Sequence, residues 1–226
     1  MIPRVPEPEV MDSPAEAEAY DAMDHATVNE AFARAALALA PRGGRVLDLG
    51  TGTARVPLCL LELYQRVSTP CSIVAVDAAP SMLEVARRNV ERAGASAAIS
   101  LCGADAKGLD FPDGSFDLVL SKSLVHHLPD PRPMLREVAR LAGPGGAILI
   151  RDLFRPHSDE ALEAKVREVC AHESAAATAL FRASLWAAFT VGEIEAMACE
   201  SGLSDARVYA SSDRHWTIER PRAVST

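Results

Sequence analysis

The residues of this chain best suited to chemistry sit at the ends of short apolar runs. Residues 46–57, VLDLGTGTARVP, carry an acid, Asp48, inside an apolar run and follow it with Gly50 and Gly52 separated by Thr51. Glycine reaches backbone conformations closed to other residues and leaves no Cβ in the way, so such a turn admits a ligand against the main chain. The same pattern also makes a tight strand-to-helix turn with no ligand. Asp77 ends the next apolar run, SIVAVDA, 29 residues after Asp48. An ionised carboxylate only accepts, and it takes two donors at once, each charge-assisted bond contributing roughly 1.5 to 3 kcal/mol when well placed. Asp77 equally suits the N-cap of a helix beginning near Pro80. Asp105, in CGADA after a third run, serves either a ligand or an ordinary turn.

The segment SKSLVHHL, residues 121–128, contributes His126 and His127. Either imidazole can act as general base on a hydroxyl or an acidic C–H, worth about 10²- to 10⁴-fold, or simply bond a backbone carbonyl. Adjacent histidines on a regular element cannot both face one site, so no metal site is predicted. Arg151 and Arg155, in RDLFRP, bring guanidinium forks that clamp a carboxylate or phosphate, or else close ion pairs inside the fold with Asp152 or an acid of the N-terminal arm. Asp113-Gly114 reads as a turn and Asp117 as structural.

These residues need elements to place them. From Arg45 onward β-rich runs alternate with helical patterns: RVLDL and a helix near 53–67, SIVAVDA and a helix near 80–93, then AISLCGA, FDLVLS, a helix near 131–142, and GAILIRD. In the 131–142 helix Met134, Leu135, Val138 and Leu141 share one face. Strand-helix alternation predicts a parallel sheet covered on both sides, and such a sheet binds ligands at the carboxyl ends of its strands.

Upstream, Pro3, Pro6 and Pro8 predict an extended arm over residues 1–12. Ser13-Pro14-Ala15-Glu16 and Thr27-Val28-Asn29-Glu30 each match a capping box and predict two helices before residue 41. In the second, Val28, Phe32, Ala35, Ala36 and Leu39 form one stripe. After residue 155, alanine-rich helices near 157–175 and 177–188 change the rhythm. Thr190-Val191-Gly192-Glu193 then caps a helix ending at Gly202, and ARVYA and HWTIE alternate like an antiparallel pair.

Composition bounds the function. The 226 residues are 49% hydrophobic and 24% charged, which suits one globular domain and excludes a fibrous, mucin-like or disordered polymer. A net charge of −8 has the wrong sign for a protein that neutralises phosphates, so no nucleic-acid partner is expected. Five cysteines at wide spacings, with no C-x-x-C, predict reduced thiols in a cytoplasmic protein. The proline-rich start lacks a secretory pattern, and no run approaches the roughly 18 apolar residues of a membrane span. No membrane partner is expected, and the chain is read as a monomer or homodimer.

VLDLGTGT resembles the first motif of the class I S-adenosylmethionine (SAM)-dependent methyltransferases, and residues 45–152 keep that family's order. LVHHL is similar to the segment after the fourth strand in small-molecule methyltransferases of the ubiquinone-biosynthesis type. The resemblance implies a Rossmann-like, doubly wound α/β fold: a seven-stranded mixed sheet with helices on both faces and an added helical lid. It implies a SAM seat built from Asp48, Gly50, Thr51, Gly52, Asp77, Ala78, Met82, Asp105, Ala106 and Ser121. In that seat Asp77 takes the ribose hydroxyls, Asp105 and the Ala106 amide take the adenine, and Met82 flanks it.

Methyl transfer to a small-molecule acceptor would release S-adenosylhomocysteine, with His126 or His127 as base for a phenol or carbon acid. Tyr20, Arg151 and Arg155 are substrate candidates. The implied organisation is residues 1–40 as an arm and helices of the lid, 41–156 as the core, 157–189 as a helical insertion over the acceptor, and 190–226 as a closing helix and hairpin. Where the family usually holds glycine, this chain has Ala54. Two other readings stand beside this one. A NAD(P)-binding oxidoreductase would place a third glycine where Arg55 stands, and a methyltransferase-like module that binds without turnover would have a sealed acceptor pocket.

Overall fold

The computed structural model describes residues 2–10 and 12–223; residues 1, 11 and 224–226, which fall inside the predicted outer segments 1–40 and 190–226, lie outside the described residues. Short runs rich in Val, Ile and Leu form five parallel strands: β1 (Gly44–Leu49), β2 (Cys71–Asp77), β3 (Ile99–Gly103), β4 (Leu118–Lys122) and β5 (Ala147–Leu153). A hairpin of β6 (Arg207–Ala210) and β7 (His215–Arg220) completes a seven-stranded sheet in the order β3-β2-β1-β4-β5-β7-β6, with β7 antiparallel to β5. The winding reverses between β1 and β4, which opens a crevice at their carboxyl ends. The predicted architecture is the observed one.

Side chains alternate across the sheet and build two cores. Val46, Ile73, Leu118, Leu120 and Leu149 pack against α2 (Ala26–Leu39), α3 (Arg55–Arg66) and α4 (Pro80–Arg92). Leu47, Leu49, Val119, Ile148 and Ile150 face the other way, against α5 (Arg132–Ala142) and α8 (Val191–Glu200). Two more helices, α6 (Asp159–Val169) and α7 (Ala175–Ala187), lie between β5 and α8 in the chain and bury Leu162, Val166 and Leu185. Among the described residues no helix is long and apolar enough to cross a membrane, and all five cysteines are free.

Local signals resolve unevenly. Ser13 caps α1 (Pro14–Asp21), its hydroxyl accepting from the Glu16 amide at 3.2 Å. Thr190 and Glu193 close the complete predicted box at the start of α8. The box predicted at Thr27 does not form. Helix α2 begins earlier, at Ala26, because Asp24 accepts from the Ala26 amide at 3.0 Å, and its buried stripe turns to Asn29, Phe32, Ala33 and Ala36. The helix predicted to run to 175 stops at Val169, because the Ser174 hydroxyl accepts from the Ala177 amide and starts a new one.

The proline-rich arm is extended and bound to the rest of the fold. Arg4 donates to the carbonyls of His126 at 2.9 Å and Leu128 at 2.8 Å, its guanidinium lies 3.9 Å from the Phe189 ring centroid, and the Val5 amide donates to Trp186 O at 3.0 Å. Replacing Thr190 by Ala removes the α8 cap and is expected to cost about 1 kcal/mol. Urea unfolding should show a lower midpoint at unchanged slope.

Candidate active site

The floor of the crevice is the turn after β1. Gly50, Gly52 and Ala54 all adopt left-handed backbone, with φ of 69°, 54° and 61°. A Cβ at Gly50 would come within 2.9 Å of the Leu124 side chain, so glycine is required there by space as well as by φ. Ala54 holds the same conformation despite its Cβ, at a cost of about 1 to 2 kcal/mol for an L-residue. Asp77 pins the turn: Oδ2 accepts from the Gly52 amide at 2.7 Å and Oδ1 from the Ala79 amide at 2.9 Å. The second bond is a two-residue Asx turn leading into α4, so Asp77 does not occupy the N-cap position itself, which is Ala79. Burial pushes the Asp77 pKa up while the Ala79 and Gly52 amides hold it down. A carboxylate offers about four lone-pair sites, so two remain for a ligand.

Behind this turn lies a chamber of about 300 Å³ lined by Tyr20, Asn29, Asp48, Thr51, Thr53 and Lys122. Three buried oxygens there, Asp48 Oδ2, Thr51 Oγ1 and Thr53 Oγ1, have no hydrogen-bond partner among the described residues. Burial, with the charge of Asp77 adding to it, pushes the Asp48 pKa up to about 7, against the opposing effect of the neighbouring Thr51 hydroxyl and then of Lys122. Where a dinucleotide pyrophosphate would approach α3, Arg55 instead makes a two-pronged pair with Asp21 at 2.8 and 2.7 Å, which argues against the oxidoreductase reading.

On the other side a larger cavity of about 510 Å³ runs from Asp77, Ala78, Met82, Asp105 and Ala106 past His126 and His127 to Phe181 and Leu180 of α7. It is one continuous space, not a sealed cofactor slot. Tyr20 lines both cavities, and burial, reinforced by Asp77 and Asp152, pushes its phenol up to about 12, so it stays a protonated donor. Asp105 is more than half exposed and accepts from the Lys107 amide at 2.9 Å, with Lys107 Nζ at 3.1 Å. Lys107 also pairs with Glu9 of the arm.

The two histidines differ in role. Both lie on a 3₁₀ turn, Val125–His127, which brings their ring centroids to 4.2 Å. His126 is buried, with Nδ1 2.6 Å from Asp152 Oδ1 and Nε2 3.2 Å from Glu7 Oε1. Burial opposes its charge, yet Asp152 and Glu7 outweigh that and raise its pKa to about 9. It is an imidazolium at neutral pH and unsuited to act as base. His127 is pushed down by burial and by the His126 charge, so it is neutral. Its Nδ1 faces two acceptors, Pro8 O at 3.2 Å and Glu7 Oε1 at 3.3 Å, so that nitrogen carries the proton and Nε2 keeps the lone pair.

The expectation that adjacent histidines diverge is therefore corrected, because a tight 3₁₀ turn is not the regular element it assumed. Ligand atoms of Glu7, His126 and His127 all fall within 4.8 Å of one another. A metal there would have to displace a proton held on His126 well above neutrality.

Three predicted contacts fail. Ser121 is fully buried and donates to Leu49 O at 2.9 Å, tying β4 to β1 and lining neither cavity. Arg151 donates to Thr217 Oγ1 at 3.0 Å, and Arg155 pairs with Glu193 at 2.8 Å and with Ala188 O at 2.7 Å. Both arginines satisfy the fold and neither lines the cavities. Sequence reasoning misses Glu7, because an acid between two prolines in an arm carries no signal of its long-range partner. It also passes over Lys122, although a lysine ending a buried strand needs an explanation.

The stretch of chain that builds this sheet and crevice is similar to known methyltransferases. Residues 47–150 match the methyltransferase domain family. A phosphatidylethanolamine N-methyltransferase of Cereibacter sphaeroides is 38% identical over 113 residues, 50% of this chain and 52% of that protein. A demethylmenaquinone methyltransferase of Thermus thermophilus is 36% identical over 120 residues, 53% and 52% of the two chains. The chain thus spans about half the length of the curated relatives it matches. A SAM-dependent methyltransferase structure from Aquifex aeolicus shares the fold with a TM-score of 0.64 at 18% identity, over 92% of this chain and 98% of that one.

His126→Asn leaves Asp152 and Glu7 without their shared cation and is expected to cost about 3 kcal/mol at pH 6.5. The raised pKa makes this stabilisation complete below about pH 6.5, with loss as pH rises through about 9. Urea titrations at pH 6.5 and 9.5 should therefore show a larger loss of stability in the wild type than in the variant.

Proposed function

We propose that this chain is a SAM-dependent methyltransferase acting on a small-molecule acceptor. The observation that carries the reading is Asp77, a strand-end carboxylate with free acceptor sites, standing against a left-handed glycine turn at the start of a continuous cavity. Asp77 receives the ribose hydroxyls, Asp105 and the Ala106 amide the adenine, and Ala78 and Met82 flank the nucleoside. Gly50 and Gly52 let it lie against the backbone. The orphaned oxygens of Asp48 and Thr51 fit the cofactor's polar end, because buried polar atoms require partners.

SAM, when bound, supplies an electrophilic methyl group on a sulfonium whose departure needs no acid. The protein's task is positioning and the exclusion of water, worth up to about 7 to 11 kcal/mol of the barrier. We assign residues 41–156 to the core, 1–40 and 157–189 to the lid, and 190–226 to the closing helix and hairpin. Tyr20 donates into the site from the lid. His127, neutral with Nε2 free, accepts the proton of an acidic acceptor while Glu7 and Pro8 fix its ring. His126 orients Glu7. No metal, nucleic acid or membrane takes part in this reading. Free cysteines favour a cytoplasmic setting, as monomer or homodimer.

Calorimetric titration with SAM, S-adenosylhomocysteine and NADH tests the reading. Micromolar binding of the sulfur nucleosides is expected, weakened at least tenfold by Asp77→Ala and less by Asp77→Asn, which keeps one acceptor oxygen. Binding of NADH without the sulfur nucleosides would contradict it.

A further inference from the structure

The larger cavity is electrically divided. Its carboxylates, Glu9, Asp77 and Asp105, lie on the arm or at the nucleoside half, two of them paired with Lys107, whereas the rest is lined by the bases Lys122, Arg214, His25, His126, His127 and His215 and by the Tyr20 phenol. Most of these bases are already answered. His126 sits between Asp152 and Glu7, Arg214 pairs with Asp213 at 3.3 Å, and His215 Nδ1 meets Ser212 Oγ at 2.8 Å. Burial, followed by the charge of Arg214, pushes His215 down to about 4, so it is neutral.

The His25 imidazole packs against the Tyr20 ring, and Lys122 is left as the aliphatic cation without a partner among the described residues. It ends β4 at the switch point and lines both cavities, and its side-chain nitrogen makes no hydrogen bond or ion pair among the described residues. By strand alternation it shares the face of Leu120, toward α2, where His25 and Asn29 lie. Asp152 and Asp48 are its nearest opposite charges, but Asp152 is committed to His126 and Asp48 stays beyond ion-pair distance in the smaller chamber. Arg151, across the register, adds a like charge. A half-buried ammonium without a partner is costly, and an incoming anion removes that cost. The same larger cavity has apolar lining from α6 and α7, at Val169, Leu180 and Phe181.

We propose that Lys122 is the anchor for a carboxylate on the acceptor, whose apolar body lies against α6 and α7; the proposal rests on the methyltransferase reading for what is done to that molecule. A carboxylate at Lys122 has two sources, the acceptor or the amino-acid end of the cofactor; Asp48 lines the smaller chamber, whereas among the described residues no carboxylate lines the acceptor half of the larger cavity, which favours the first.

The probes are 3-phenylpropionate and its uncharged counterpart 3-phenylpropan-1-ol, titrated calorimetrically into the full chain alone and saturated with S-adenosylhomocysteine. The acid is expected to bind at least tenfold more tightly than the alcohol. Lys122→Met should abolish that preference, Lys122→Arg should keep it, and both should change S-adenosylhomocysteine affinity by less than twofold, with thermal melting confirming that both variants fold. Equal binding of the two probes, binding of neither, or a preference that survives Lys122→Met overturns the proposal. So does a Lys122→Met variant that loses affinity for S-adenosylhomocysteine but not for 5′-methylthioadenosine, since the anion is then the cofactor's own. If the acid preference behaves as expected and no sulfur nucleoside binds, the anion site stands and the methyltransferase reading fails.

Discussion

Two loops of opposite origin converge on the Asp77 carboxylate, and the rest of the site follows from that convergence. One oxygen holds the Gly52 amide of the turn after β1, the other the Ala79 amide that leads into α4. The Thr51 amide is tied to Val76 O at 2.9 Å, so the turn is fastened to β2 from both sides of the strand end. Three left-handed residues in five positions would be hard to hold otherwise, because Ala54 gains nothing from that conformation by itself. Burial alone would push the Asp77 carboxyl toward its neutral form, and the two amides counter it. The group that fixes the floor is thus also one with acceptor capacity left over.

A second buried charge organises the roof. His126, held as an imidazolium between Asp152 on β5 and Glu7 on the arm, links segments far apart in the chain. Arg4 adds to the same unit by donating to one carbonyl within the 3₁₀ turn, one just after it, and one at the end of α7. Removing one charge from such a cluster leaves the others buried without compensation, so the arm, the turn and β5 stand or fall together. One effect of the His126 charge is to lower the pKa of its neighbour and keep His127 neutral beneath the arm.

Much of this was legible in the residues. The strand-helix alternation gave five parallel strands because buried parallel strands need continuous apolar runs, and those runs are unambiguous in this chain. Asp77 and Asp105 were legible as cavity residues because a doubly wound sheet sends its strand ends to one edge, whereas Ala78, Met82 and Ala106, which also line the cavity, were named through the family resemblance. Ser121 shows the limit of that rule: it stands at the end of a strand, but alternation turns its hydroxyl to Leu49 rather than the crevice. Arg151 and Arg155 were ambiguous by type, and only the positions of Thr217 and Glu193 decide them. Glu7 and the pairing of His126 with His127 depend on the path of an extended arm and on a 3₁₀ turn, neither of which has a periodic pattern to read.

The most direct test of the central claim is a crystal structure of the chain with S-adenosylhomocysteine bound. The account predicts both ribose hydroxyls within about 2.5 to 3.0 Å of the Asp77 oxygens, with the adenine beside Asp105 and Ala106. A nucleoside held elsewhere, with the Asp77 carboxylate left solely to the Gly52 and Ala79 amides, would contradict it.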